Sequence, residues 1–326
     1  MQYYSIKGFI QPRRLVDVAP KTPPLVQIRA ARLRDLPACA SVCVSALRDL
    51  SRRQGKTPPR IRARDLLPFM RHVLATDPMG FQVAVAKGRI VCYAITVLRG
   101  KTHFLAQFFA LPGVQSRGIG RKVLARAFDA PEPPRDAVRC LVASLDLRAQ
   151  SLYLKFGMQP RTIMYYFSGK PTLTGTPSSL KLRQVGQTNR PTKRSMEIAA
   201  AFDRRLRGVR RDVDQEFFLS ADRGSRFFEA QEGGRTLGYV VVRGKGGIGP
   251  AGVVRGSLTG DLLSAAIAKA HELRLKKVFV WVPGLNQGAV RAAFAAGLKV
   301  DFITVWMAAG PIGNLDLYLP SGGVLF

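Results

Sequence analysis

The chain has 326 residues, 47% of them hydrophobic, which is enough for two domains of ordinary size with a core in each. Fifty-one Lys and Arg residues against 21 Asp and Glu give a formal net charge of +30, and the pI is about 11.1. This balance favours association with a polyanion such as RNA, the ribosome, DNA or an anionic membrane surface, or else a solvated basic face without such a partner.

Cysteine usage and hydropathy exclude several classes of protein. The four cysteines include no Cys-x-x-Cys pair and only three histidines are present, so neither a metal site nor a disulfide framework is predicted. Cys39 and Cys43 lie one helical turn apart, which favours the apolar face of a helix. Reduced thiols fit a cytoplasmic location. No apolar run approaches the roughly 18 residues of a transmembrane helix, so no transmembrane segment is predicted.

The N-terminal part begins with a Pro-rich tail, residues 1–24, for which a flexible arm, an extra strand and a targeting segment remain open alternatives. The first strand is predicted over Leu25 to Ala31. Helices are predicted from Arg34 to Arg53 and from about Arg64 to Ala75, on either side of a Gly/Pro break. Seven basic residues surround that break: Arg48, Arg52, Arg53, Lys56, Arg60, Arg62 and Arg64. Such a cluster indicates either an acidic or nucleic-acid ligand or a solvated surface.

Three antiparallel strands are predicted next. Phe81 to Ala86 and Ile90 to Leu98 flank the turn Lys87-Gly88-Arg89, which is a hairpin signal. The run from Phe104 to Leu111 is almost continuously apolar and ends at Pro112-Gly113, which is typical of a buried strand.

A glycine-containing loop then joins this strand to a helix. The loop runs from Gln115 to Gly120 (QSRGIG), and apolar residues at helical spacing follow from Val123 to Phe128. The first-turn amides of a helix have no intrahelical partner, and the helix dipole favours negative charge there. Glycines let the backbone approach a phosphate, and Arg117 and Arg121 add positive charge. The sequence therefore predicts an anion site, although a short glycine pattern alone also fits an ordinary turn.

A second strand and helix follow. Val138 to Ser144 is an apolar strand candidate, and the next segment starts at Asp146. Ala149 and Tyr153 share one face of the predicted helix, and Gly157 is a natural C-terminal stop.

These two motifs resemble those of the GNAT acetyltransferase family. The family's pyrophosphate loop is written Arg/Gln-x-x-Gly-x-Gly/Ala, and Asn-x-x-Ala-x-x-Leu-Tyr-x-Lys-x-Gly-Phe lies on the helix after its fifth strand. Asp146 stands where Asn is usual, and Met158 stands where Phe is usual. The predicted strand Arg161 to Phe167 completes the order of elements. The loop does not fit a P-loop or a dinucleotide-binding fingerprint.

The resemblance implies a site for acetyl-CoA or another acyl-CoA. The backbone of the fourth strand would hold the pantetheine arm, and the loop amides would bind the pyrophosphate. The residues assigned to the donor in this way are Ala110, Leu111, Val114, Gln115, Ser116, Arg117, Gly118, Ile119, Gly120, Arg121 and Asp146.

The resemblance also implies direct transfer of the acyl group to an amine. Tyr153 would be the general acid that protonates the departing CoA thiolate. The base is not evident, because many family members carry a Glu near the fourth strand, where this chain has His103 and Gln107. His103 is expected to be a surface residue at a strand end. Water, or the C-terminal carboxylate of Phe326 if the tail folds back, are further candidates.

The second half of the chain repeats the order of elements after a polar linker, residues 170–179. Strands are predicted over Leu180 to Val185, Phe227 to Ala230, Leu237 to Arg243, Gly246 to Val254, Lys277 to Val282 and Phe302 to Met307. Helices are predicted over Met196 to Arg207, over Gly260 to Leu273, and after Asn286. This internal duplication resembles tandem GNAT proteins.

The two copies differ where chemistry would take place. Val254 to Asp261 lacks the Arg/Gln-x-x-Gly-x-Gly pattern, and the Asp261 carboxylate would repel a pyrophosphate. Ala293 or Phe294 replaces the tyrosine, and neither can donate a proton. The second copy is therefore predicted to be non-catalytic.

The sequence thus predicts an α/β (α+β) protein of two tandem GNAT-like domains, each with a mixed, largely antiparallel sheet flanked by helices. The first domain spans residues 25–169, the second spans residues 180–309, and residues 310–326 form a C-terminal tail. Three functions remain open: an acyltransferase acting on a small amine or a protein, one acting on RNA or a ribosomal component, and a GNAT-fold RNA- or ribosome-binding protein with a vestigial CoA site.

Overall fold

A computed structural model of the chain describes residues 26–114, 118–172 and 178–325. The elements of the first half are β1 (Val26–Ala30), α1 (Leu36–Arg53), α2 (Ala63–Thr76), β2 (Phe81–Ala86), β3 (Arg89–Arg99), β4 (Thr102–Ala110), α3 (Ile119–Asp129), β5 (Val138–Ala143), α4 (Leu147–Lys155) and β6 (Gln159–Gly169). The predicted elements of this half are all present, with ends displaced by a few residues.

The second half contains the same sequence of strands and helices. Its elements are β7 (Lys181–Gln184), α5 (Lys193–Arg207), α6 (Asp212–Ala221), β8 (Arg226–Glu232), β9 (Arg235–Val242), β10 (Gly247–Val253), α7 (Thr259–Glu272), β11 (Val278–Pro283), α8 (Gln287–Ala295) and β12 (Lys299–Ala308). Helix α6 was missed from the sequence because its first turn is acidic and polar, although it buries Phe218 and Leu219. One further short strand, β13 (Tyr318–Leu319), lies in the C-terminal tail.

All of these strands form one mixed, mostly antiparallel sheet in the order β1-β2-β3-β4-β5-β12-β6-β11-β10-β9-β8-β7, with β13 beside β10. The prediction of a separate sheet in each domain is wrong in this respect, because β12 lies between β5 and β6 and pairs antiparallel with both. Strand β6 in turn lies beside β11. The apolar pattern identified both strands but not their partners, because local periodicity does not determine which distant strands pair.

Helices cover both faces of the sheet. One face of the sheet, which we call the α1 face, is covered by helices α1, α2, α5 and α6. These four helices share a single hydrophobic core. On the opposite face, α3 and α4 cover strands of the first half, and α7 and α8 cover strands of the second. Cys39 and Cys43 are buried in α1, as predicted. Among the described helices, none is both long and apolar enough to cross a bilayer.

A buried charge network also joins the two halves across the α1 face. Arg99 of β3 donates hydrogen bonds to Asp77 at 2.8 and 3.0 Å and to Asp214 of α6 at 2.8 and 3.0 Å. His72 of α2 lies 3.2 Å from the same Asp214 carboxylate. Removing one partner of such a network leaves an uncompensated buried charge, so the network favours a fixed arrangement of α2 against α6.

Candidate active site

The central geometric feature of the first half is the divergence of two parallel strands. β4 and β5 pair in register only from Thr102↔Val138 to Leu105↔Leu141. β4 then continues to Ala110, still paired with β3. A bulge accompanies the divergence, since the β3–β4 register shifts between Ile95 and Thr96 and bulges commonly re-aim a strand.

A cleft of about 340 Å³ lies at this divergence. Ala46, Leu47 and Leu50 of α1 line it from the α1 face, and residues of α3 and α4 line it from the opposite face. Phe108 and Phe109 of β4 lie between them. The cleft therefore passes through the sheet from one face to the other, so that two molecules can approach its centre from opposite sides.

Most of the predicted site residues come together in this cleft. Those that line it are Ala110, Val114, Gly118, Ile119, Gly120, Arg121, Asp146 and Tyr153. Leu111 does not line the cleft, and its backbone N–H donates to the Val91 carbonyl of β3 at 2.9 Å. Gln115, Ser116 and Arg117 lie outside the described residues.

The N-terminus of α3 opens onto the cleft. Gly118 caps the helix with a φ of +76°, a left-handed conformation that glycine adopts without strain. A Cβ there would meet none of the residues that the structure describes within 4 Å. No acidic residue lies in the first turn of α3, and no side chain caps it. A Cβ at Gly120 would lie 2.9 Å from Phe108 Cζ. The free first-turn amides and the open space at Gly118 fit a phosphate-bearing ligand.

Charge in the cleft is predominantly positive. Four cations, Arg53, Arg121, Arg148 and Lys155, line it together with one carboxylate, Asp146. The Asp146 side chain caps α4 by accepting the Arg148 N–H at 3.0 Å, and it also accepts a hydrogen bond from Arg53 at 2.9 Å. Burial disfavours the charged form of Asp146, but hydrogen bonds from Arg53 and Arg148 outweigh burial and lower its pKa. The single carboxylate is therefore ionised and neutralised.

Tyr153 reaches the cleft from α4. Its side chain is buried at 6% exposure, and its ring packs edge-on against Phe108 with centroids 6.3 Å apart. Burial raises the pKa of the Tyr153 hydroxyl, and the Asp146 charge acts in the same direction. Within the described part of the chain, no residue forms a hydrogen bond with this hydroxyl, although a buried tyrosine usually has such a partner. The hydroxyl is thus a protonated donor beside the cleft.

The structure corrects the expectation for His103. The residue is fully buried rather than exposed at a strand end, and its ring packs edge-on against Phe128 with centroids 5.0 Å apart. Its place at the start of β4 is about 20 Å along the strand from Ala110, so it cannot reach the cleft. Burial lowers the pKa of His103 to about 4, and the Arg139 charge adds to the effect.

Gln107, the other polar residue of β4, is also engaged within the protein. Its Oε1 accepts a hydrogen bond from the buried Tyr93 hydroxyl at 2.9 Å. Phe326, whose carboxylate was the remaining candidate for the base, lies outside the described residues. Among the described residues that line the cleft, Asp146 is the sole carboxylate, and its ion pairs make it a weak base.

The corresponding place in the second half is closed. β10 pairs in parallel with β11 only at Gly247↔Phe279 and Ile248↔Val280, so these strands diverge as well. The chain's own β13 fills the opening by pairing with β10 at Gly252↔Tyr318 and the adjacent pair. The end of β10 is therefore hydrogen-bonded to the tail, with the Val253 N–H donating to the Leu317 carbonyl at 3.1 Å.

The N-terminus of α7 is covered too. A Cβ at Gly260 would lie 3.0 Å from the Gly288 carbonyl oxygen, so the start of α7 packs against the start of α8. Asp261 lies in the first turn of α7 and accepts a hydrogen bond from Ser179 at 3.1 Å. The conditions that make the α3 terminus fit an anion are absent from α7.

Sequence reasoning missed the α1 wall of the cleft and the ion pair between Arg53 and Asp146. Arg53 was grouped with the basic residues of the α1–α2 break, and its partner is 93 residues away in the chain. The sequence predicted the helix from Arg34 to Arg53 with an apolar face that includes Cys39 and Cys43, but not what that helix contacts. Only the tertiary fold brings α1 to α4.

Diverging central strands, a glycine-capped helix and a cleft through the sheet are the features of a GNAT fold. Residues 45–158 match the model of the acetyltransferase (GNAT) family. This range runs from α1 to the end of α4 and contains the cleft. The chain therefore contains a GNAT acetyltransferase domain, of a family that uses acetyl-CoA. No curated protein matches the sequence.

Solved structures resemble almost the whole chain. A candidate acetyltransferase from Pyrococcus horikoshii is 17% identical with a TM-score of 0.73, and the match covers 92% of this chain and 96% of that one. A GCN5-related N-acetyltransferase from Sphaerobacter thermophilus is 18% identical with a TM-score of 0.61, covering 90% and 98%. A tandem GNAT protein from the clavulanic acid biosynthesis pathway is 18% identical with a TM-score of 0.55, covering 88% and 99%. At these identities the similarity shows the fold.

Proposed function

We propose that the chain transfers an acyl group, in the first instance acetyl, from CoA to an amine in the β4–β5 cleft. The observation that carries this proposal is the open, cationic cleft at the α3 N-terminus, which is lined by the residues of both GNAT motifs. The family match of residues 45–158 supports the same reaction class.

The donor's pyrophosphate is assigned to the first-turn amides of α3, with Arg121 and the other cleft cations supplying positive charge. The β4 segment near Ala110 is assigned to the pantetheine arm, because it lines the cleft beyond the point where β4 and β5 separate. When bound, acetyl-CoA supplies a thioester whose acyl carbon the amine attacks. Asp146 caps α4 and holds Arg53 beside the mouth of the cleft.

Tyr153 is proposed as the general acid. Its raised pKa keeps the hydroxyl protonated at neutral pH, so it can deliver a proton to the departing sulfur. No residue of this chain is assigned as the base, since His103 is remote and Gln107 cannot accept a proton. The amine would therefore attack in its neutral form, as its C–N bond forms and the C–S bond breaks. Its nitrogen then loses one proton to water, and Tyr153 regains from water the proton that it gave to sulfur.

The second half is proposed to be a non-catalytic copy. The tail strand β13 occupies the opening that corresponds to the cleft, and Asp261 stands at the start of α7. Residues 25–169 and 180–309 are accordingly proposed as two repeats of one ancestral unit, joined by the linker at residues 170–179. The exchange of β6 and β12 makes each repeat depend on the other for a complete sheet.

Substitution at the α3 cap, assayed by calorimetry with CoA, tests the proposed donor site. Gly118→Asp should abolish CoA binding, because it places a negative charge at the phosphate subsite. Gly208→Asp is the matched control, since Gly208 also caps a helix terminus at a φ of +75° with open space around it. The control should bind CoA normally; equal binding by both variants would contradict the assignment.

A second candidate function is binding of RNA or a ribosomal component, favoured by the charge of +30. Arg48 and Arg52 on the outer side of α1 line a second cavity of about 440 Å³ together with Arg62. Arg62 is paired with Asp65, whereas Arg48 and Arg52 form no ion pair within the described part of the chain. Two like charges one turn apart destabilise a helix, so an anionic partner would relieve their repulsion.

A further inference from the structure

The C-terminal tail crosses from the second half of the chain to the cleft of the first. After pairing with β10 as β13, the tail is fixed by a hydrogen bond from Arg243 to the Ser321 carbonyl at 2.8 Å. A Cβ at Gly323 would lie 3.4 Å from Cη2 of Trp281 on β11 and 3.8 Å from Cγ1 of Val142 on β5. The tail therefore passes over the α1 face of the central strands β11, β6, β12 and β5.

The tail ends near the point where β4 and β5 separate, at the edge of the cleft. Val142 is the first residue of β5 beyond Leu141, the last one paired with β4. Two residues later, Ser144 lines the cleft itself. Gly323 thus lies against the point where β4 and β5 separate, on the face opposite to α3 and α4.

The end of the described tail is buried in the hydrophobic core of the α1 face. Leu325 is buried at 2% exposure and belongs to the same core cluster as Cys140 of β5 and Trp306 of β12. The Ser321 hydroxyl donates to the Leu325 carbonyl at 2.8 Å, which folds the last residues into a turn. Val324 between them is 38% exposed, so the two side chains point to different environments.

We propose that residues 323–325 form the acceptor-side wall of the cleft and keep bulk water away from the donor's thioester. The proposal rests on the proposed acetyl-CoA site. Donor phosphates at α3 place the donor on the α3 side, so an amine enters from the α1 face, where the tail lies. Val142 of β5 and Phe109 of β4 are half-buried and apolar, and excluding water prevents hydrolysis of a reactive intermediate.

The wall is tested by hydrolysis of acetyl-CoA without an amine. In that reaction a water oxygen bonds to the acetyl carbon and the C–S bond breaks, giving acetate and CoA, whose thiol is detected. Leu325→Ala should raise the hydrolysis rate at saturating acetyl-CoA by about tenfold, equivalent to about 1.4 kcal/mol in the barrier. Deletion of residues 323–326, which keeps Ser321 and β13, should raise it at least as much.

Val324→Ala is the matched control, because it removes methyl groups from the exposed neighbour and should leave hydrolysis unchanged. CoA affinity, measured by calorimetry, should be the same in all four proteins. Unchanged hydrolysis in both tail variants with normal CoA affinity would overturn the wall. Failure of the full chain to bind CoA would instead overturn the proposed function, and if the deletion does not fold, Leu325→Ala decides alone.

Discussion

Arg53 on α1 and Asp146 at the start of α4 form an ion pair across the mouth of the cleft, with an N–O distance of 2.9 Å. Both residues line the cleft. The pair neutralises the sole carboxylate there, at the position where the family usually carries an uncharged Asn. It thereby explains how Asp146 is compatible with a ligand that carries phosphates.

This relationship predicts rescue in a double variant. Arg53→Gln should weaken CoA binding by about fivefold to tenfold, because Asp146 is left less well compensated, while changing stability by less than about 1 kcal/mol. Arg53→Gln combined with Asp146→Asn should recover most of that affinity, since the repelling charge is gone. Calorimetry on the three proteins measures the coupling. Equal weakening in the single and double variants would show that Arg53 contacts the ligand directly instead.

Tyr153→Phe should lower turnover by about 10²- to 10⁴-fold, the range for loss of a general acid, with CoA affinity unchanged. Phe keeps the edge-on contact with Phe108, so lost chemistry is separated from lost packing. The assay follows thiol release from acetyl-CoA with a generic amine. Tyr166→Phe, in β6 and outside the cleft, is the control and should be fully active. Full activity of Tyr153→Phe where chemistry limits the rate would remove Tyr153 from the mechanism.

His103 predicts a dependence of stability on pH. Its pKa is about 4 in the folded protein because of burial, reinforced by Arg139 and opposed by Asp77, and 6.5 is the ordinary value that the unfolded chain regains. Unfolded chains therefore bind more protons between these values. The contribution of the neutral His103 to the free energy of unfolding is complete above about pH 6.5 and is lost as pH falls toward about 4. It amounts to about 3 kcal/mol.

Urea unfolding from pH 4 to 7 measures this effect. His103→Phe cannot be protonated and keeps a ring against Phe128, so its stability should fall less over the same interval. Parallel curves for the two proteins would show that His103 is protonated in the folded state or is not buried.

The alternative partner is tested by salt dependence. Should the outer face of α1 bind RNA, replacing Arg48 and Arg52 by Gln should reduce the slope of log K against log salt by about 1.4–1.8, or 0.7–0.9 per phosphate contact. Arg210→Gln with Arg255→Gln is the matched control, because these exposed arginines are already paired with Asp212 and Glu232. Identical slopes for the two pairs would place the RNA elsewhere, and absence of binding at low salt would leave the charge as a solvated surface.

The sequence was sufficient for the order of the elements other than α6 and β13, and for the glycine that begins α3 at Gly118. Local periodicity, glycine placement and the spacing to Tyr153 are properties of short segments, so they could be predicted. The partners of β12 could not be predicted, because β12 pairs with β5 and the paired residues are more than 150 positions apart in the chain. For the same reason, the sequence did not predict the ion pair between Arg53 and Asp146 or the packing of the C-terminal tail against Val142. His103 was misplaced because the few polar residues of an otherwise apolar strand do not reveal which end of the strand is covered.

The central claim is that one intact donor site lies in the first half and that β13 and Asp261 exclude a second. Calorimetric titration of the full chain with CoA tests both parts together. The account predicts saturable binding with one CoA per chain, which Gly118→Asp abolishes. A stoichiometry of two, or binding that survives in Gly118→Asp, would contradict it.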